Sequence, residues 1–185
     1  MAVVSTLPLG RPLTLENFEA LRDGVDDGAR YELVDGSLVV TPAPTWAHQV
    51  VLTALLREFL LSNPDEDRYV LLPAPHDLHL GDISVLQPDL SIYDLQRGGR
   101  DLPAHVVEIL SPSTRHLDLG LKRSRYAAGG IEHYWVVDPG DVSVTAWQLR
   151  NGAYSGSLVV SGDDAATLPG VWPVTLRPSA LVRHI

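Results

Sequence analysis

The sequence predicts an α/β or α+β sandwich built on a mixed β-sheet, and three observations carry that prediction. Short extended segments with alternating apolar residues fill much of the chain, a helical stretch separates two strongly β-forming segments at 104–110 and 132–138, and further strands follow. The 185 residues show no internal repeat and no low-complexity run, and suit one domain over 1–185.

The elements follow in order. Residues 14–23 (TLENFEALRD) offer Thr14 as a helix cap and Leu15, Phe18 and Leu21 at helical spacing, with Gly24 as the stop. RYELVDGSLVVTP then places alternating apolar residues on both sides of Asp35-Gly36, a strong hairpin signal, so strands are expected at about 30–35 and 37–41. Pro42 and Pro44 end the hairpin. Thr45 can cap a helix through Asn63, whose apolar face holds Val51, Leu52, Leu55, Leu56 and Phe59. Extended candidates follow at 69–73, 76–80, 83–86, 88–93 and 104–110, the last two separated by a loop holding Gly98 and Gly99. Ser113 or Thr114 starts a helix through Ala128, stopped by Gly129-Gly130. Strands at 132–138, 142–149 and 153–160 precede a loosely patterned tail that carries Trp172.

Composition narrows the function. The formal net charge is -9, which argues against nonspecific coating of nucleic acid, although it leaves room for a local basic site. With no cysteine there is no disulfide framework, thiolate metal site or cysteine nucleophile. No apolar run reaches the ~18 residues of a membrane span, and MAVVSTLPLG has no signal-peptide character, so a cytoplasmic protein without membrane contact is expected.

Two carboxylates form the first chemical signal. Asp89 and Glu108 lie on consecutive extended segments, and their numbers are symmetric about the Gly98-Gly99 loop. If those segments pair antiparallel, the carboxylates face each other with Cβ atoms ~5 Å apart. Glu108 interrupts a strand built for burial, and a buried carboxylate costs several kcal/mol unless paired or bound to a cation. Two such groups invite a hard divalent cation, and Mg²⁺ typically takes one or two protein carboxylates while keeping waters.

Lys122 is the second signal. It is the one lysine among 14 cationic side chains. Asp118, Lys122 and Tyr126 recur every four residues, which places them along one helix face from which Lys122 can fold back over the carboxylate pair. An ordinary helical pair with Asp118 is the competing reading. Removal of a catalytic Lys122 would be expected to leave the fold nearly intact, and Asp89→Asn to stabilise metal-free protein by relieving carboxylate repulsion.

The runs YELVDG (31–36), QPDLSIY (87–93), VVEILSPST (106–114) and DLGLKRSRYAAGGIEHYWVVDP (118–139) resemble the Uma family of proposed endonucleases, a branch of the PD-(D/E)XK restriction-endonuclease-like superfamily. The resemblance implies a restriction-endonuclease-like mixed sheet flanked by helices, with additional antiparallel strands. It implies that Pro88-Asp89 and Glu108 supply the acidic motif, with a lysine moved from the position of Leu110 to Lys122 on the following helix. It also implies a metal site of Asp89, Glu108 and the Ile109 carbonyl holding Mg²⁺ or Mn²⁺, catalytic use of Lys122, and phosphodiester hydrolysis in DNA. Glu32 is a further candidate, either as a metal or water ligand or as a group that supports the ligands from behind, against the reading of a solvent-facing strand residue.

Other residues have simpler readings. His48 in the first turn of its helix is read as contacting solvent and local backbone, the alternative being a place beside Glu32. His76 and His79 point to opposite faces of a strand and do not form one metal site. Ser111 and His116 lack a G-x-S-x-G elbow, so SPST is read as a turn and helix cap. Tyr134, Trp135 and Trp147 are read as packing. Arg115, Lys122, Arg123 and Arg125 oppose only Asp118 within 111–126, so Arg115, Arg123 and Arg125 are candidate phosphate contacts. Apolar carboxy-terminal strands and Trp172 suggest a homodimer. The expected function is a Mg²⁺-dependent nuclease; the alternatives are an inactive nuclease-fold binding module and a metal-dependent hydrolase of a smaller phosphate substrate.

Overall fold

The computed structural model of the protein describes residues 5–7, 11–97 and 99–185, so the expected loop residue Gly98 lies outside them. Helix α1 (Leu15–Asp23) is capped by Thr14, whose side chain accepts from Asn17 N at 3.3 Å. β2 (Arg30–Val34) and β3 (Ser37–Thr41) form the expected hairpin. Its turn puts Asp35 at φ 52° and Gly36 at φ 73°, the left-handed pair that a two-residue connection demands. A side chain at Gly36 would also meet Pro12, since an added Cβ would sit 2.4 Å from the proline Cβ. β1 (Ser5–Leu7) pairs with β3. With β5 (Leu78–His79) and β6 (Val85–Leu86), these strands make a five-stranded sheet in the order β1-β3-β2-β6-β5. The segments expected at 76–80 and 83–86 are therefore only two-residue strands.

The second sheet has six strands in the order β11-β10-β9-β8-β7-β4. Its members are β4 (Tyr69–Pro73), β7 (Leu90–Asp94), β8 (His105–Ile109), β9 (His133–Asp138), β10 (Ser143–Arg150) and β11 (Ala153–Ser161). Only the β8 and β9 pairing is parallel, so the sheet is mixed, as expected. Val107 and Ile109 on one face of β8 join a core with Leu55 and Phe59 of α2 (Trp46–Ser62). Val106 and Leu110 on the other face join a core with Val34, Leu86 and Tyr126. Period-two alternation thus serves two cores at once, and Glu108 projects into the second.

The connection from β8 to β9 departs from expectation. Leu117–Lys122 winds as a π-helix before α3 (Arg123–Ala128), so a regular four-residue stripe does not describe this stretch. The wider turn still turns Leu117, Asp118 and Lys122 inward. In the tail, β12 (Ala166–Leu168) pairs with β13 (Val174–Leu176), and α4 (Pro178–Leu181) follows. Trp172, read as a dimer contact, instead packs in the chain's own core against Phe59 and Tyr69, with its Nε1 donating to Ser62 Oγ at 3.1 Å. No helix among the described residues is long and apolar enough to cross a membrane.

Candidate active site

The β7 to β8 register pairs Leu90 with Val107, Ser91 with Val106 and Ile92 with His105, and one further step sets Asp89 opposite Glu108. The carboxylate pair drawn from numerical symmetry is therefore the arrangement the hairpin makes. Asp89 Oδ2 accepts from Ile109 N at 2.7 Å, which ties its side chain across the same two strands.

Lys122 is 1% exposed and lies within ion-pair range of three carboxylates, with Nζ 2.9 Å from Glu32, 3.2 Å from Glu108 and 3.5 Å from Asp118. The simple pairing with Asp118 is thus the longest of its contacts. Tyr126 adds its hydroxyl, donating to Glu108 Oε1 at 2.5 Å. Glu32 is buried, which overturns the solvent-facing reading of that residue, and its Oε1 also accepts from Gln87 N at 2.8 Å. Burial opposes the lysine charge, but Glu108, Glu32 and Asp118 together hold its pKa above the usual value.

Two residues complete the site that the sequence did not assign to it. Arg30 on β2 donates to Asp89 Oδ1 at 2.9 Å, and His48 Nε2 sits 3.1 Å from Asp89 Oδ2. The reading of His48 as a solvent contact is corrected: its side chain is 13% exposed and faces the carboxylate. Signals for both were present. Arg30 is two residues from Glu32 and therefore on the same strand face. His48 extends the Leu52, Leu55 and Phe59 face of α2 by one turn.

Charge is out of balance in this cluster. Four buried carboxylates, Glu32, Asp89, Glu108 and Asp118, face two permanent cations, Lys122 and Arg30. Asp89 settles below the usual carboxylate range, because the His48 hydrogen bond, Arg30 and the Ile109 N–H outweigh its burial. Glu108 goes the other way, pushed up to about 8 by burial and by Asp118, Asp89 and Glu32, against the pull of Lys122. Asp118 is raised as well, chiefly by burial. Burial and mutual repulsion disfavour joint ionisation of these carboxyls, and oxygen donors crowded in this way fit one hard divalent cation, whose charge would favour their ionised forms. Among the described residues no three His, Asp or Glu side chains already converge as a ligand set. Asp89 and Glu108 would therefore exchange contacts with Arg30, Lys122 or Tyr126 on binding.

The solvent-facing side of the site is a cleft of about 400 Å³. Asp89, Arg30, His48 and Ile109 line its floor, while Glu32, Glu108 and Lys122 lie behind it. Ser111, Ser113 and Thr114 close one side, with Ser111 Oγ 3.0 Å from both other hydroxyls, in agreement with a turn and cap.

The basic run is placed differently. Arg115 pairs with Asp138 and with Asp141, Arg125 pairs with Asp35, and Arg123 lies 5.3 Å over the Trp147 ring. Tyr134 and Trp135 are fully buried, and His76 Nε2 is 2.9 Å from the Tyr93 hydroxyl.

Comparison with known proteins agrees with this architecture. A family model described as "Putative restriction endonuclease" (Uma2) matches residues 15–178. No curated protein matches the chain. Among solved structures, the chain is similar to a protein from Anabaena variabilis described as a "putative nuclease belonging to DUF820". The two share 18% identity at a TM-score of 0.74, covering 93% of this chain and 98% of the other, which establishes likeness of fold.

Proposed function

This chain belongs to the Uma2 family, and from that premise and the buried carboxylate cluster we propose that it is a Mg²⁺- or Mn²⁺-dependent nuclease hydrolysing phosphodiester bonds in DNA. The observation that carries the proposal is the crowding of buried carboxyl groups around Lys122, directly behind a cleft whose floor is Asp89. Asp89, Glu108 and the Ile109 carbonyl are the proposed ligands that would hold a divalent ion, which would supply activation of water and screening of the scissile phosphate.

The chain's own groups supply positioning. Glu32 and Asp118 flank Lys122 and fix its ammonium beside Glu108, where it stabilises negative charge developing at the reacting phosphate. Glu32 acts through that lysine, with Gln87 N holding its carboxylate. Arg30 and His48 orient Asp89, and Arg30 is a cation beside Asp89 for a phosphate that enters the cleft. Arg115, Arg123 and Arg125 remain proposed phosphate contacts, which must give up an intramolecular partner to act.

A second reading, a catalytically inactive binding module, is favoured by the enclosure of Lys122 at 1% exposure. The deciding experiment pairs a thermal melt in Mg²⁺ or Mn²⁺ with a cleavage assay on DNA, for wild type and Glu108→Gln. The nuclease reading requires metal-dependent stabilisation and cleavage in wild type and loss of both in the variant. Absence of cleavage by metal-stabilised wild type favours the inactive module.

A further inference from the structure

The cleft above Asp89 restricts what can reach it. Two proline-containing segments wall it: residues 42–45 (PAPT) between β3 and α2, and Ala74-Pro75 after β4, with Tyr31 also in its lining. Asp89 at its floor is only 2% exposed. We propose that this cleft admits one unpaired nucleotide, so that the protein acts on single-stranded DNA or single-stranded ends in preference to continuous duplex. The inference rests on the nuclease reading and specifies its substrate.

Geometry is the first support. A volume of about 400 Å³ suits a nucleotide-sized guest. A duplex carries its phosphates on the convex outside of a stiff cylinder, and a carboxylate recessed between two loops meets them only at the cost of bending or locally unpairing the duplex. An unpaired strand can splay a nucleotide inward.

Electrostatics is the second. Duplex binding draws on many cations released to phosphates. Here the chain carries -9 overall, and three of the arginines around the site are engaged: Arg22 donates to Asp77 at 2.5 Å, Arg115 is held by Asp138 and Arg125 by Asp35. Within the cleft itself the lining arginines are Arg22 and Arg30, each already paired with a carboxylate, which suits one or two phosphates and not a tract. Affinity would then come from the walls, where the exposed proline rings of Pro42, Pro44 and Pro75 and the half-buried Tyr31 offer surface to the face of a base.

The test measures anisotropy of three labelled DNAs of one sequence: a single strand, a blunt duplex, and a duplex with a single-stranded overhang. Binding is read in Ca²⁺ and cleavage in Mn²⁺. Single strand and overhang are expected to bind about tenfold tighter than blunt duplex, with cuts confined to unpaired nucleotides. Equal or better binding and cleavage of blunt duplex overturns the inference and leaves the nuclease reading intact. Single-strand-selective binding without cleavage of any form overturns the nuclease reading and upholds the selectivity of the cleft; no binding of any form overturns both. Ala43→Trp, on the exposed wall, is expected to weaken single-strand binding about tenfold at unchanged melting temperature. Unchanged binding by that variant removes the cleft as the site.

Discussion

Lys122 Nζ lies closer to Glu32, on the hairpin of one sheet, than to Glu108 on the central strand of the other, at 2.9 Å against 3.2 Å. The lysine therefore ties the two sheets together as well as serving the carboxylate pair. Its burial reverses the expectation that its removal spares the fold. Lys122→Ala leaves three buried carboxylates without their shared cation, a loss of about 3–5 kcal/mol by analogy with broken buried ion pairs. Urea unfolding should show it, and an unchanged midpoint would refute the sheet-bridging role. Lys122→Arg retains the charge and should recover part of the stability, which separates a charge effect from lost packing.

Asp89→Asn should also lower stability in metal-free protein, contrary to the expectation of relieved repulsion. The folded protein holds this carboxyl below its usual pKa through His48, Arg30 and Ile109 N, so its ionised form favours folding. Losing the charge-assisted contacts should cost about 1–3 kcal/mol. A variant more stable than wild type in a chelator would show that repulsion from Glu108 dominates after all.

The pairing of Asp89 with Glu108 was legible because a hairpin fixes register by symmetry, and Lys122 because a lone lysine beside a buried acid has a narrow set of explanations. Arg30 escaped, and His48 has a place beside Glu32 only as the alternative to a solvent contact, because nothing local brings either to Asp89: β2, α2 and β7 meet only when sheets and helix pack. The π-helical winding at Leu117–Lys122 was hidden for a related reason, since side-chain spacing cannot distinguish it from an α-helix over six residues. Strands β12 and β13 are three residues each, too short for a period to register.

Gly36→Ala tests the hairpin that carries Glu32. The substitution strains a backbone at φ 73° and drives a Cβ to 2.4 Å from Pro12. The expected loss is about 1 kcal/mol or more, read as a lowered melting temperature. If the hairpin positions Glu32 as described, metal-dependent cleavage should fall along with stability. A variant with wild-type melting would mean that the turn relaxes freely and does not constrain the site.

His105 predicts the acid limit of the fold. It sits fully buried on β8, 4.9 Å in ring separation from Trp135 and 5.4 Å from Phe59, and neither ring nitrogen has a hydrogen-bond partner among the described residues. Burial, with the neighbouring His133, drives its pKa well below the ordinary 6.5. At a pH below that value the unfolded chain binds a proton that the folded protein refuses, so the unfolded state gains and stability declines as pH falls. Above 6.5 both states are neutral at this position, and the contribution to pH dependence vanishes. His105→Phe should therefore flatten the decline between about pH 6.5 and 5 in urea-unfolding measurements. An identical acid slope in variant and wild type would assign the decline to other groups, such as the buried His133.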